Sequence, residues 1–413
     1  MPLTSRIALR KSDVPETNRR LLLNIIRQSR GTSRADVARI TGLSPSSVTY
    51  IVNRMVRDGL LSEAPSEDHT QVGRRPVILR LRPESLIVAG VEITHSEAQI
   101  ATADLNGRIL RQRAIAWQPD HQVFLTRIRD ATRVLTGSIR AGRLLGVGVS
   151  LPGTVDRVTG CVTAAENLGW FGVDAGRILS EGSPNSFYFE NDARLCALAE
   201  RWFCSLGGKP LDNFVFLTLR GGLGTGIVSE GNLIRGASGE ASEFGHTSLF
   251  PDGRRCVCGA IGCWEEYASQ RALERRYREL LGGLNQEPGP SADDIIRLAR
   301  GGDATALEVL RETAVYLGMG FANLNAAFNP EAIIVGDYLA SGWDLMENWV
   351  WDALRSRAPQ RYLTRLRIFP STLGRDSALK GALALVLSNY FTGSGTGNVK
   401  GIATHSTRSR HPR

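Results

Sequence analysis

Cys256-Val257-Cys258-Gly259-Ala260-Ile261-Gly262-Cys263 places three thiols on one short, glycine-shaped segment, and His246 stands ten residues before it. Thiolates and an imidazole at this spacing suit tetrahedral zinc. Four protein ligands, His246, Cys256, Cys258 and Cys263, leave no open coordination position, so such a zinc would be structural. A redox thiol set is the other chemistry that close cysteines allow. Cys161, Cys196 and Cys204 are scattered along the chain and read as small buried apolar residues. A disulfide framework is not expected.

Around this segment lie 413 residues, room for about three domains. Apolar residues make up 42% and charged residues 22%, which excludes a chain disordered throughout. No stretch approaches the roughly 18 apolar residues of a membrane span, and the N-terminal segment lacks the apolar core of a signal peptide. A cytoplasmic protein with no membrane insertion is expected. The net charge of +9 is unevenly placed: residues 1–82 carry +8, residues 83–390 carry −3 and residues 391–413 carry +4. A basic head on a near-neutral body points to a nucleic-acid-binding module joined to something else.

Inside the head, Leu21, Leu22, Leu23, Ile25 and Ile26 form an apolar stripe at helical spacing. Ser33 is placed to cap a second, short helix from Arg34 to Ile40, and Thr41-Gly42-Leu43 reads as a turn. Ser44-Pro45 then opens a third helix, in which Val48, Ile51, Val52 and Met55 share one face. Ser46, Ser47, Thr49, Tyr50 and Asn53 lie on the others and are the candidates for base contacts in a major groove, with Arg54 or Arg57 on phosphate. Leu60-Leu61 and Val77-Ile78-Leu79 predict the two strands of a wing. Gly73-Arg74-Arg75-Pro76 between them would carry Arg74 and Arg75 into a minor groove. The expected unit is a winged helix-turn-helix over 15–82, with double-stranded DNA as partner.

The motif His246…Cys256-x-Cys258-Gly-x-x-Gly-Cys263-x-Glu265, preceded by Glu243-Phe-Gly-His246, resembles the signature of the ROK family (repressors, open reading frames, kinases). Gly146-Val-Gly148-Val-Ser150-Leu-Pro152-Gly153-x-Val155-Asp156, Asn167-Leu-Gly-Trp170, Glu190-Asn191-Asp192-Ala193 and Pro330-Glu331-Ala-Ile-Ile-Val-Gly336 match as well, so the resemblance runs over roughly 15–390. It implies an α/β fold of the actin-like, sugar-kinase (ribonuclease H-like) kind: a two-lobed body over 83–390 behind an all-α, winged DNA-binding head. The sequence agrees on its own terms. Buried-strand runs at 86–93, 144–150, 214–219 and 333–335 alternate with helical stretches at 190–203 and 304–328, and a helix at 376–389 closes the fold. By resemblance, the sugar contacts fall on Asn191, Asp192, Glu243, His246 and Glu265, and the zinc acts as a rigid support of that site.

Kinases of the family use the counterpart of Asp192 as the base that takes the hydroxyl proton, so this residue alone does not exclude phosphoryl transfer. The nucleotide side departs from the family. Glu92-Ile-Thr94-His95-Ser96-Glu97 stands where the kinases have Asp-x-Gly-Gly-Thr-Lys; side chains fill space that phosphate needs, and Glu97 has the wrong sign. Arg220 replaces the first glycine of Arg220-Gly-Gly-Leu-Gly-Thr-Gly226, and Gly336-Asp337 replaces a glycine pair. The expected function is therefore a sugar- or sugar-phosphate-responsive transcriptional regulator, a repressor, with a non-catalytic kinase-like body. An ATP-dependent sugar kinase with a DNA-binding appendage is one alternative. A DNA-binding regulator with a vestigial cleft, controlled by a protein partner, is another. Relatives imply a homodimer or homotetramer, and residues 391–413 read as a flexible basic tail.

Overall fold

The computed structural model describes residues 14–29, 31–65, 77–204, 211–282, 289–392 and 399–400. Helix α1 (Val14–Gln28) buries Leu22, Leu23 and Ile26, three positions of the predicted stripe. After β1 (Thr32–Ser33), the Ser33 hydroxyl accepts the Asp36 N–H at 3.1 Å and starts α2 (Arg34–Thr41), which stops at Gly42 with φ 69°. Ser44 caps α3 (Pro45–Arg57) in the same way, accepting from Ser47 N–H at 3.2 Å. The strands β2 (Leu61–Pro65) and β3 (Val77–Leu81) pair antiparallel, Leu61 opposite Leu81 and Pro65 opposite Val77. A third strand, absent from the sequence expectation, is β1, which lies on the other edge of β3. Two residues are too few to show a period. Arg74 and Arg75 lie outside the described residues.

The first lobe begins with three antiparallel strands, β4 (Ile87–Ile93), β5 (Glu97–Ala103) and β6 (Ile109–Ala116), covered by α4 (His121–Thr136). Strand β7 (Leu144–Leu151) then joins β4 in parallel. A small sheet of β8 (Thr154–Val155), β9 (Val162–Ala165) and β10 (Trp170–Val173) follows, then α5 (Ala175–Ser180). Strand β11 (Ser186–Asn191) pairs with β7 in parallel and runs directly into α6 (Asp192–Phe203). Glu190 and Asn191, expected within a helix over 190–203, thus close the strand. These five strands lie in the order β6-β5-β4-β7-β11 within a six-stranded sheet.

The second lobe repeats that plan. Strands β12 (Phe214–Thr218), β13 (Gly224–Ser229) and β14 (Asn232–Leu233) are antiparallel. Helices α7 (Glu265–Ala268), α8 (Gln270–Leu280), α9 (Ala292–Arg300) and α10 (Ala304–Phe328) precede β15 (Ala332–Val335), and α11 (Asp337–Arg355) with α12 (Gln360–Leu363) leads to β16 (Arg367–Pro370). The order β14-β13-β12-β15-β16 matches the first lobe strand for strand. Between the two sheets run α6 and α13 (Ser377–Thr392). Over 381–387 helix α13 is apolar on every side because it is buried on every side. The two helices cross closely at Gly381, where a Cβ would stand 2.1 Å from the Leu195 carbonyl oxygen.

Two expectations are corrected here. The tail does not begin at 391: Phe391 is buried and belongs to α13, and β17 (Val399–Lys400) pairs antiparallel with β11. Of the scattered cysteines only Cys196 is buried; Cys161 and Cys204 are half-buried, at the ends of elements where neighbours are fewer. Head and body share one apolar core, in which Leu22, Leu23 and Ile26 meet Leu86, Leu383, Leu387 and Phe391. Among the described residues no helix is long and apolar enough to cross a membrane.

Candidate functional site

At the end of β11 a carboxylate with no solvent exposure, Glu190, meets three arginines: Arg194 Nε at 2.8 Å, Arg235 Nε at 2.8 Å and Arg157 Nε at 3.1 Å. The next residue, Asn191, caps α6. Its Oδ1 accepts the Arg194 N–H at 3.2 Å and its Nδ2 donates to the Gly153 carbonyl at 3.0 Å, which ties the Pro152-Gly153 turn to the helix start. Asp192, half-buried in the first turn, accepts the Ala193 N–H at 2.8 Å. Burial pushes its carboxyl above the usual range, against the pull of Arg220.

The loop after β14 carries the other candidates. The Glu243 side chain is 44% exposed and lies 4.0 Å from Arg194 Nη1; the partial burial of its carboxyl raises it, while Arg194 and His246 oppose. Glu265 is buried at the start of α7; its Oε2 accepts the Leu223 N–H at 3.3 Å, and its Oε1 accepts from the Cys256 thiol at 3.1 Å and lies 3.8 Å from His246 Nδ1. Asn191 and Glu243 thus both adjoin Arg194, while His246 and Glu265 meet at the cysteine loop.

The ligand atoms of His246, Cys256, Cys258 and Cys263 all lie within 4.8 Å of one another. The separations between Cys256 Sγ and His246 Nδ1 and between Cys258 Sγ and Cys263 Sγ are both 3.7 Å. A tetrahedral ion bonded to sulfur at about 2.3 Å sets its ligands about 3.8 Å apart, so the donor set and spacing fit. This cluster could hold a metal ion. Gly262 makes the loop possible: it has φ 76°, and a Cβ there would strike the Phe250 carbonyl oxygen at 1.7 Å. Trp264, fully buried against Phe321 of α10, anchors the loop to the core of the second lobe. Burial pushes the Cys263 thiol up to about 11, so a cation must displace protons to bind.

The segments that depart from the kinases of the family, the β4–β5 turn and the Arg220 region, make internal contacts. The Thr94 hydroxyl accepts the N–H groups of Ser96 (3.3 Å) and Glu97 (3.2 Å), so these two donors of the β4–β5 turn are engaged within the turn. Arg220 Nε donates to Asp337 Oδ1 at 2.8 Å, Nη1 to Glu92 Oε1 and Nη2 to the Arg375 carbonyl at 2.7 Å. Sequence reasoning saw Arg220 as a missing glycine and missed that it is an ion-pair centre. It also gave Glu190 no role, although the spacing of four to Arg194 is a readable signal.

On the head, Ser46, Ser47, Thr49, Tyr50, Asn53, Arg54 and Arg57 are all exposed along α3, while Val48, Val52 and Met55 are buried. Tyr50 is 64% exposed, so a large ring is held in solvent on the candidate DNA face. Arg34 Nη2 donates to Asn53 Oδ1 at 2.9 Å and Arg34 also pairs with Glu63 of the wing. This braces α3 against β2.

Residues 88–389 match the ROK family, and residues 16–62 match a winged helix-turn-helix DNA-binding family. The chain belongs to the ROK family. It is 27% identical to the xylose repressor of Bacillus subtilis (strain 168) over 91% of this chain and 96% of that protein. A solved ROK family transcriptional regulator, described as a homolog of the E. coli MLC protein, superposes with a TM-score of 0.79 at 25% identity, covering 92% of this chain and 97% of that one. A ROK family glucokinase from Streptomyces griseus, solved with glucose and AMPPNP, is 31% identical, with a TM-score of 0.62, over 72% of this chain and 98% of its own. This ROK chain therefore shares its body with a kinase and about nine-tenths of its length with regulators.

Proposed function

We propose that this ROK protein is a DNA-binding transcriptional repressor whose body binds a sugar or sugar phosphate and transfers no phosphate. The observation that carries the reading is the path of α6. It starts at Asn191 and Asp192, and its last turn holds Trp202, whose ring lies 4.0 Å from the Arg27 guanidinium of α1. One buried helix of 12 residues, about 18 Å long, thus joins the candidate effector side chains to the DNA-binding head. Closing of the lobes on a sugar shifts α6 and α13 together, and with them the head. Operator and effector then alter each other's affinity by the same factor.

In this reading Asn191, Asp192, Glu243, His246 and Glu265 hold the sugar hydroxyls. A structural zinc on His246, Cys256, Cys258 and Cys263 keeps two of those residues in place. Ser46, Ser47, Thr49, Tyr50 and Asn53 meet base edges, Arg54 and Arg57 meet phosphate, and Arg74 and Arg75 enter the minor groove. The head spans 15–82 and the body 83–390, and two-fold operators call for a homo-oligomer in the cytoplasm.

A thermal-shift panel of D-xylose, D-glucose, N-acetylglucosamine and their phosphates tests the reading. The effector stabilises by about 2.7 kcal/mol at a hundred times its Kd and changes operator affinity. A panel with no melting shift and no effect on DNA binding would sink it. The kinase alternative rests on Asp192, the one intact catalytic feature; sugar-dependent release of ADP from ATP in a coupled assay would establish it. Replacing Tyr50 or Asn53 by alanine is expected to weaken specific operator binding by about 1–3 kcal/mol while sparing non-specific DNA. Arg74→Ala with Arg75→Ala is expected to lower the slope of log affinity against log salt by about two; an unchanged slope places both arginines in solvent.

A further inference from the structure

We infer that Arg220 is an interlobe clamp: its guanidinium ties β4 of the first lobe to the start of α11 in the second and so holds the turn 221–223 that follows it. The side chain leaves the end of β12 and enters a chamber of about 500 Å³ lined by residues of both lobes, among them Glu92, Thr94, Asp337, Tyr338 and Arg375. Its three donor positions reach three separate segments: Asp337 through Nε, Glu92 through Nη1 and the Arg375 carbonyl through Nη2. Only a planar fork does this, since an ammonium group is a point donor.

The surroundings are built for that cation. Glu92 is buried at the end of β4, and Asp337 faces it from the other lobe. Asp337 has φ 54°, a left-handed conformation that costs a non-glycine residue free energy. It persists because the carboxylate is gripped by the Thr218 hydroxyl, the Leu219 N–H at 2.9 Å and Arg220 together. Without the guanidinium, two carboxylates would face one another across the lobes. The clamp is also in line with the candidate effector site. Three residues on, the Leu223 N–H donates to Glu265, and Arg220 draws on the charge of Asp192.

The role of the clamp in effector binding rests on the sugar reading above; its role between the lobes does not. The experiment uses the full-length protein with Arg220→Ala, Arg220→Lys and Glu92→Ala, the last altering only the first-lobe end. Amide exchange is followed in peptides covering 87–94 and 214–223, and the radius of gyration by X-ray scattering. Arg220→Ala and Glu92→Ala should each speed exchange in both peptides about tenfold and expand the particle, with peptides from α10 unchanged. Arg220→Lys should behave like the alanine variant. Millimolar guanidinium should restore the Arg220→Ala protein but not the Glu92→Ala protein, and matched sodium chloride should restore neither. Exchange and radius that stay at wild-type values in both alanine variants would overturn the clamp, as would wild-type exchange and radius in the lysine variant. D-Xylose and D-glucose titrations separate the two ideas. No binding to the wild type counts against the sugar reading alone, whereas equal affinity of wild type and Arg220→Ala for a sugar that binds removes the clamp from the effector site.

Discussion

Cys258→Ser is expected to empty the metal centre, taking zinc from about one ion per chain to near none and lowering the melting temperature by roughly 5–10 °C. The size follows from what the loop holds. Cys258 is exposed, so its loss opens no cavity, and the effect comes from the metal it would ligate. Of the three partners left behind, Cys256 and His246 both adjoin Glu265, and Trp264 carries the loop into the core of the second lobe. Loss of the ion therefore loosens the candidate sugar site as well as the fold, and effector affinity should fall with metal content. The metal is also expected to leave as pH falls, since protons compete for the thiolates. Metal analysis showing wild-type zinc in the serine variant would end the assignment.

Glu190→Gln should destabilise the body by about 3–5 kcal/mol, the usual cost of breaking a buried ion pair on one side. The carboxylate is fully buried, and Arg194 beside it is 2% exposed, so the charge left behind has no access to water. Arg157 and Arg235 are partly exposed and would recover some hydration, which places the loss toward the lower end. Burial alone would raise the Glu190 carboxyl, but Arg194, Arg235 and Arg157 outweigh it and hold it below the ordinary value. A depressed folded pKa means the stability is present above the unfolded value near 4.3 and is lost as pH falls below it. The glutamine variant should thus melt lower at neutral pH and show a flatter acid limb. Melting within a degree of wild type would mean that water serves the arginines equally well.

Local chemistry made much of this protein legible. Ser33 and Ser44 as helix caps, Gly42 as a stop and Val48, Val52 and Met55 as an inner face are decided within four or five residues, and each is found in place. The helix over 304–328 was legible for the same reason. Strand β1 was not, because two residues carry no period, and the start of α6 was misplaced because Glu190 and Asn191 suit either element. Composition places the start of the tail too early, because Phe391 packs on Trp202, a residue far away in the chain.

The thiol-rich segment and its distant histidine determined, by sequence alone, a candidate metal loop and the family to which the chain belongs. They did so because coordination chemistry demands particular side chains at close spacing. What only the tertiary structure decided is how the parts are coupled. Arg220 reads as a missing glycine until the two lobes bring Glu92 and Asp337, more than 240 residues apart in the chain, to opposite sides of its guanidinium. Arg27 reads as one more basic residue of the head until α6 delivers Trp202 beneath it. Such long-range charge and ring pairs leave no periodic trace in a sequence, because their free energy depends on burial and distance that exist only once the chain has folded.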